Sequence, residues 1–218
     1  MEKVSNYYDE ACKLHGNVGW QAGCWSSWEH QHTVFSSVTS IVDGNGSILD
    51  VGCGQGDLYN FLHLKFGGAV TCKYTGLDIS EQMIEHAVAG GRPSYKSAEL
   101  SWVLCDVLDY DVPHDFVLGG GTFGLRIGDD DQQYEYIRNS LKKMYSLANR
   151  AVAVTLLSDR LKPEIDADCP QFQETKQALE ELFACNPNRI LEICLDITPN
   201  VIIDHTTLIS QFAVYLYK

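Results

Sequence analysis

The chain has 218 residues, 45% of them hydrophobic, and a formal net charge of −13 at pH 7. This length accommodates one sizeable hydrophobic core and is short for two. Because non-specific nucleic-acid affinity comes mostly from cations, the charge disfavours nucleic-acid partners and anionic membrane surfaces. The sequence begins without the apolar stretch of a secretory signal, and no run approaches the length of a membrane span, so we expect a cytoplasmic protein.

Eight cysteines are distributed along the chain, and none forms a C-x-x-C pair. A zinc site is therefore poorly supported, and no metal is expected. Several cysteines lie in apolar runs, where a reduced cysteine packs as a small hydrophobic side chain. This usage is typical of a reducing cytosol.

Short apolar runs alternate with amphipathic segments, which predicts a parallel sheet covered by helices on both faces. In chain order the predicted elements are a helix over Trp25–Ile41, a strand over Ser47–Val51, a helix over Leu58–Phe66, a strand over Lys73–Leu77, a helix over Ser80–Val88, strands over Ser101–Cys105 and Phe116–Gly119, a helix over Asp131–Ala148, a strand over Ala151–Leu157, helices over Gln171–Phe183 and Pro187–Leu195, and strands over Val201–Asp204 and Gln211–Tyr217.

The last two strands are separated by only a short connection, whereas parallel neighbours need a long crossover. They should therefore pair antiparallel. The predicted fold is α/β, Rossmann-like and doubly wound, with a seven-stranded, mostly parallel sheet and an antiparallel C-terminal strand. We expect one compact domain, in which residues 1–46 form a helical lid and substrate segment and residues 47–218 bind the cofactor.

A glycine-rich turn follows the first strand in the segment Ile48–Asp57, ILDVGCGQGD. Its glycines, Gly52, Gly54 and Gly56, permit a sharp turn and the close approach of a ligand. The helix after the turn offers unpaired N–H groups to an anionic group. The spacing is G-x-G-x-G, and it differs from the dinucleotide fingerprint G-x-G-x-x-G.

Three successive predicted strands end at or next to an aspartate, Asp50, Asp78 and Asp106. In an open α/β sheet these side chains would surround one crevice at the carboxyl ends of the strands. Each aspartate alone is equally consistent with a helix cap or a solvated turn. Asp109 or Asp111 is an alternative to Asp106.

The segments VGCGQGD, LDIS and LCDV together resemble the motif set of class I S-adenosylmethionine-dependent methyltransferases. The resemblance extends from about Ser47 to the C-terminus. The chain also resembles small bacterial methyltransferase-domain proteins of unassigned substrate, which share a Trp- and Gln-containing N-terminal segment, a GGGTFGLR-like segment and an FAVYLYK-like ending.

The resemblance implies S-adenosylmethionine as cofactor and S-adenosylhomocysteine as product. It implies that Gly52 and Gly54, within a motif that includes Asp50 and Gly56, contact the methionyl and ribose portions of the cofactor, and that Gly119 lines the methionyl end. It also implies that Asp78 holds the ribose hydroxyls. Around the adenine, Ile79 and Val107 would contact the ring and Asp106 would bind the amine. Related sequences often carry an Arg where this chain has Val34, so the contact of the cofactor carboxylate stays unassigned.

The N-terminal segment is rich in aromatic side chains, which would either form a lid or simply dock the helix on the sheet. Tyr8, Trp20 and Gln31 are candidate substrate-binding residues. His30 and His32 are candidate general bases, but residues two apart on a helix cannot share a face, so at most one points inward.

The segment after the fourth strand should overhang the methyl group, which makes Phe123 and Arg126 candidate substrate-binding residues. Arg126 is also a catalytic candidate, although pairing with Asp129 or Asp130 explains it equally well. His205, between the last two strands, is a weaker candidate for the mouth of the site.

These residues predict an enzyme that methylates oxygen or nitrogen of a small molecule, as a monomer or homodimer. Methylation of a macromolecule such as tRNA or protein is an alternative, but no basic stripe supports it. Another is a cofactor-binding protein without catalysis. A dinucleotide-dependent oxidoreductase is disfavoured by the loop spacing.

Overall fold

The computed structural model describes residues 2–67, 72–90, 99–160, 181–208 and 210–218. The strands are β1 Ser47–Val51, β2 Lys73–Asp78, β3 Leu100–Leu104, β4 His114–Gly119, β5 Ala148–Leu157, β6 Val201–Asp204 and β7 Gln211–Tyr217. The helices are α1 Glu2–His15, α2 Gly19–Ala22, α3 Trp28–Val38, α4 Asp57–Lys65, α5 Glu81–Ala89, α6 Asp130–Leu147 and α7 Pro187–Leu195, with 3₁₀ turns at Thr39–Ile41 and Val107–Asp109.

All seven strands form one sheet in the order β3-β2-β1-β4-β5-β7-β6. The pairs from β3 to β5 are parallel, whereas β7 runs antiparallel to both β5 and β6. The order reverses at β1 and β4, and the carboxyl ends of these two strands therefore flank the crevice where open α/β sheets bind ligands. The predicted fold class and the antiparallel C-terminal strand are confirmed.

Side chains alternate between the two faces of the sheet and supply two separate cores. In β1, Ile48 joins a core with α3 and α4, and Leu49 joins a core with α6 and α7. The alternation follows the period of two in the sequence, and it places the N-terminal helices and α6 on opposite faces of the sheet.

Helix boundaries follow their caps. Ser80 accepts a hydrogen bond from Met83 N at 3.1 Å and starts α5, and Asn186 caps α7. Asp129 and Gln132 form a capping box that starts α6. The helix predicted from Trp25 instead begins at Trp28, because Ser27 caps it.

One predicted helix, Gln171–Phe183, falls largely on residues 161–180, which lie outside the described residues. Its last two residues, Leu182 and Phe183, are not helical. Leu182 forms a bridge with Leu125, and Phe183 N donates to Gly124 O at 2.8 Å, so this end of the segment pairs with the chain after β4.

Candidate active site

The glycine turn after β1 is fastened to the end of β2. Gly52 N and Cys53 N both donate to Leu77 O, at 2.8 and 2.9 Å. Gly54 N donates to Asp78 Oδ2 at 2.9 Å, while Asp78 Oδ1 accepts from Ser80 N at 2.9 Å. The buried Asp78 carboxylate thereby fixes both the turn and the start of α5.

The glycines of the turn serve different purposes, although the sequence predicted one role for all three. At Gly54, where φ is +53°, a Cβ would project into open space with Met83 Sδ 3.8 Å away as its nearest neighbour. At Gly56 a Cβ would lie 2.5 Å from the Trp102 ring, so the absence of a side chain here leaves room for Trp102 to pack. Gly54 is therefore the position where the backbone is left open to a ligand.

A first cavity lies at the carboxyl ends of β1, β2 and β4, and with its open mouth it contains about 1050 Å³. Eight of its residues are Asp50, Gly52, Gly54, Asp78, Ile79, Asp106, Val107 and Phe123, all of them predicted site residues. Of the predicted cofactor residues, Gly56 and Gly119 do not line it; the neighbouring Gly120 and Gly121 take the place predicted for Gly119.

Asp50 lies near the end of β1 and is 3% exposed. The Tyr74 hydroxyl donates a hydrogen bond to Asp50 Oδ2. Burial raises the pKa of Asp50 to about 7, although the Tyr74 hydrogen bond opposes this rise. Asp50 is therefore a carboxyl whose charge a cationic ligand would stabilise.

Asp106 follows β3, and its Oδ1 accepts from Leu108 N at 3.0 Å and so starts the 3₁₀ turn. Val107, at 3% exposed, lies on the floor of the cavity. Asp109 is exposed, and Asp111 pairs with Lys143 at 2.6 Å. Since neither of these two lines the first cavity, Asp106 is the better placed of the three aspartates.

The α3 helix contributes Gln31, whose Nε2 donates to Asp57 Oδ2 at 2.9 Å inside the first cavity. Burial raises the pKa of Asp57, and the Gln31 hydrogen bond opposes this. A Cβ at Gly19 would lie 2.0 Å from Asp57 Oδ2, so α2 packs directly on this carboxyl. Asp57 was not predicted as a site residue, although its place at the end of the glycine motif was a usable signal.

Val34 is completely buried and packs near Gly120, so a side chain at this position would face the core of the protein.

The described lining of the first cavity contains four carboxylates, Asp50, Asp57, Asp78 and Asp106, and neither Lys nor Arg. The α4 helix starts at this cavity, and its N-cap Gly56 makes no side-chain hydrogen bond. The start of a helix is a type of site that can accept an anion.

The α1 helix closes over the first cavity through polar contacts at its rim. Ser5 Oγ donates to Ile79 O at 3.0 Å, and Ser80 Oγ donates to Asp9 Oδ1 at 2.6 Å. Gln55 Nε2 donates to Gly16 O at 2.6 Å. The N-terminal helices are thereby fastened to the same two loops that carry the glycine turn and Asp78.

A second cavity adjoins the first and shares Tyr8, Gly23, Trp25, Gly121 and Leu125 with it. Trp25 stands between the two, since a Cβ at Gly121 would lie 2.6 Å from the Trp25 ring. The remaining lining residues are Tyr7, Cys24, Ser26, His30, Gly124, Thr155, Leu157, Ser158, Leu182, Ala184, Ser210 and Gln211.

The other predicted substrate and catalytic residues are dispersed. His30 lines the second cavity, whereas His32 packs between Trp28 and Phe61 and lines neither. Trp20 and His205 also line neither cavity. Of the two candidate general bases, only His30 therefore lines a cavity.

Arg126 lies outside the lining of both cavities. Its guanidinium pairs with Asp130 at 2.7 Å and lies 4.8 Å from the centre of the Phe183 ring. Pairing with an acidic neighbour, the alternative role for Arg126, is therefore the contact observed.

Three features of the first cavity fit S-adenosylmethionine. The backbone at Gly54 is open, and Asp78 keeps lone pairs beyond those taken by Gly54 and Ser80. The acidic lining suits a ligand with a sulfonium and an ammonium. Within the described ranges, no group of three or more His, Cys, Asp or Glu is arranged to hold a metal ion.

The described part of the chain contains no helix that is both long and apolar enough to cross a membrane. The seven cysteines of that part are free thiols; Cys169 lies outside it.

A family model described as a methyltransferase domain matches residues 48–144. No curated protein matches the chain. Its fold is similar to that of magnesium protoporphyrin IX methyltransferase from Synechocystis PCC 6803 with bound SAH, with a TM-score of 0.67, 17% identity and coverage of 100% of this chain and 99% of that one.

Two other solved structures share the fold. Human N-acetylserotonin methyltransferase in complex with SAM gives a TM-score of 0.62 at 14% identity, covering 99% of this chain and 57% of that one. The plantazolicin methyltransferase in complex with SAH gives 0.58 at 14% identity, covering 100% and 90%.

Proposed function

We propose that this chain is a class I S-adenosylmethionine-dependent methyltransferase that transfers the methyl group to oxygen or nitrogen of a small molecule in the cytoplasm. One observation carries the proposal. The first cavity, which fits the cofactor, shares a wall with a second cavity large enough for a separate ligand. We further propose that residues 1–46, whose described part is largely helical, form the lid and substrate segment at this junction, and that the protein is a monomer or homodimer.

Within the first cavity we assign Asp78 to the ribose hydroxyls, because its carboxylate is fixed by two backbone donors and faces the ligand space. Ile79 and Val107 flank the adenine, and Asp106 accepts from its amine. The backbone of Gly52 and Gly54 lies along the ribose and methionyl portions. The N–H groups at the start of α4 receive the carboxylate, which replaces the contact that an Arg at the position of Val34 would make.

The bound cofactor supplies a methyl group already activated on sulfur. The protein therefore has to orient the acceptor and exclude water. Trp25 and Tyr8 line both cavities, and they form the boundary that an acceptor approaches. Asp50 and Asp57 supply negative charge on the donor side of this boundary.

Methyl-labelled S-adenosylmethionine, incubated with the protein and a cell extract that is then fractionated, tests the proposal. We expect label in the low-molecular-mass fraction, and less of it with Asp78→Asn. Label confined to the RNA or protein fraction contradicts the small-molecule acceptor. Cofactor binding with no label in any fraction contradicts catalysis.

The magnesium protoporphyrin IX, N-acetylserotonin and plantazolicin enzymes act on acceptors that their names state. Those acceptors are diverse small molecules and a peptide product, so they support the reaction type more than any one acceptor. Neither cavity of this protein has a Lys or Arg in its described lining, and this supports an acceptor other than a nucleic acid.

A further inference from the structure

The two cavities differ in charge. The first contains four carboxylates, whereas the described lining of the second contains no Asp, Glu, Lys or Arg. Burying an ionised group without a partner is costly, so a cavity of this kind selects against charged ligands. An acceptor held in the second cavity is therefore expected to be uncharged.

The walls of the second cavity are aromatic on one side and aliphatic on the other. Tyr7, Tyr8 and Trp25 come from the N-terminal segment, and Leu157 and Leu182 face them from the end of β5 and the chain before α7. Rings stack well against such side chains, and the surrounding apolar surface favours a flat, largely apolar molecule.

His30 contributes a polar edge to these walls. His30 Nδ1 lies 2.8 Å from Ser26 Oγ, and His30 Nε2 lies 3.0 Å from Gln211 Nε2. An amide nitrogen only donates, so as the amide is oriented here Nε2 accepts, and Nδ1 carries the proton that it gives to Ser26. Burial lowers the pKa of His30, which favours this neutral form.

Trp25 orients the imidazole. The two rings meet edge to face with centroids 5.6 Å apart, and Trp25 also contacts Gly121 at the boundary of the first cavity. His30 is therefore fixed from three sides, with its acceptor nitrogen at the polar edge of the second cavity. A ligand hydroxyl that displaces the Gln211 amide would donate to this nitrogen.

We propose that the second cavity binds an uncharged aromatic acceptor through a hydroxyl that donates to His30 Nε2, and that His30 takes the hydroxyl proton during methyl transfer. The acceptor oxygen forms a bond to the methyl carbon while the bond from sulfur to that carbon breaks. The bond's electron pair stays on sulfur, which becomes a neutral thioether. The positive charge moves to the imidazolium, so charge is conserved. This proposal rests on the proposed function and adds the acceptor class and the base.

Calorimetry with protein saturated with S-adenosylhomocysteine tests the acceptor class, with 2-naphthol as the probe and 2-naphthoate as its charged counterpart. We expect 2-naphthol to bind at least tenfold more tightly. Equal affinity, or a preference for 2-naphthoate, overturns the proposal. Binding of S-adenosylhomocysteine is measured first and tests the proposed function separately. If S-adenosylhomocysteine does not bind, the assignment of the first cavity is wrong, whatever the second cavity binds.

The matched variants Ala184→Trp and Ala89→Trp locate the binding. Both alanines are exposed, but only Ala184 lines the second cavity. Ala184→Trp should weaken 2-naphthol at least tenfold and leave S-adenosylhomocysteine unaffected, while Ala89→Trp should change neither. Undiminished 2-naphthol affinity in Ala184→Trp places the probe elsewhere and overturns the assignment.

The role of His30 is tested by the fluorescence of bound 2-naphthol, which becomes a strong acid on excitation and gives its proton to a base in contact. We expect emission from the naphtholate anion in the wild-type complex and its loss in His30→Gln, with S-adenosylhomocysteine affinity retained. His32→Gln is the control, since His32 lines neither cavity. Anion emission that persists in His30→Gln shows that His30 is not the proton acceptor.

Discussion

The Asp78→Asn substitution removes the charge of the carboxylate that joins the glycine turn to α5 while keeping its shape. In the structure Asp78 accepts from Gly54 N and from Ser80 N, each at 2.9 Å. An amide can accept from only one of them and turns its own N–H groups toward the other. One buried backbone N–H then lacks a partner, which costs about 1–3 kcal/mol of folding free energy.

The substitution should also lower the affinity for the cofactor. A hydrogen bond to a charged group contributes about 1.5–3 kcal/mol, so losing one from the ribose raises the Kd for S-adenosylhomocysteine by about 10- to 150-fold. Calorimetry measures the Kd, and urea unfolding measures the free energy of unfolding.

Asp109→Asn is the matched control for this substitution, because Asp109 is exposed, lines neither cavity and carries the same charge. Its Kd should stay within about twofold of wild type, since exposed charges at a distance are screened. If Asp78→Asn binds S-adenosylhomocysteine as tightly as wild type, or if both variants weaken binding equally, Asp78 does not hold the ribose.

Three further outcomes are expected. Burial raises the pKa of Asp50 to about 7, so the neutral carboxyl stabilises the fold fully below the pKa of the unfolded chain, and this stabilisation is lost as pH rises through 7. Because Asn does not ionise, the free energy of unfolding of Asp50→Asn in urea should increase by about 2–3 kcal/mol relative to wild type between about pH 5 and pH 8. Gly54→Val puts a side chain into the ligand space at a positive φ and should lower the affinity for S-adenosylhomocysteine, measured by calorimetry, at least tenfold. Wild-type affinity in this variant contradicts the assignment of Gly54 to the cofactor site. Arg126→Ala removes a partly exposed ion pair and should cost at most about 1 kcal/mol of stability with an unchanged Kd; a large loss of affinity places Arg126 in the site.

The sheet and the glycine turn were predictable because their signals are local. The strand–turn–helix around Gly52 and Gly54, the caps at Ser80 and Asn186, and the short connection before β7 each depend on neighbouring residues. Such patterns fix backbone conformation before any tertiary contact forms.

The second cavity was not predictable, because it assembles residues that are remote in sequence. His30, Ala184 and Gln211 meet only through the order of the sheet, and nothing near His30 in the sequence indicates that Gln211 will bind it. For the same reason Gly56 was interpreted as a ligand contact, although the Trp102 ring is what requires a glycine there.

A crystal structure of the protein with S-adenosylhomocysteine tests the central claim most directly, namely that the first cavity presents the methyl group of the donor to the second. The expected result is a ribose bound to Asp78, an adenine between Ile79 and Val107, and a sulfur atom at the boundary formed by Trp25 and Gly121. A ribose away from Asp78, or a sulfur that faces away from the second cavity, contradicts the claim.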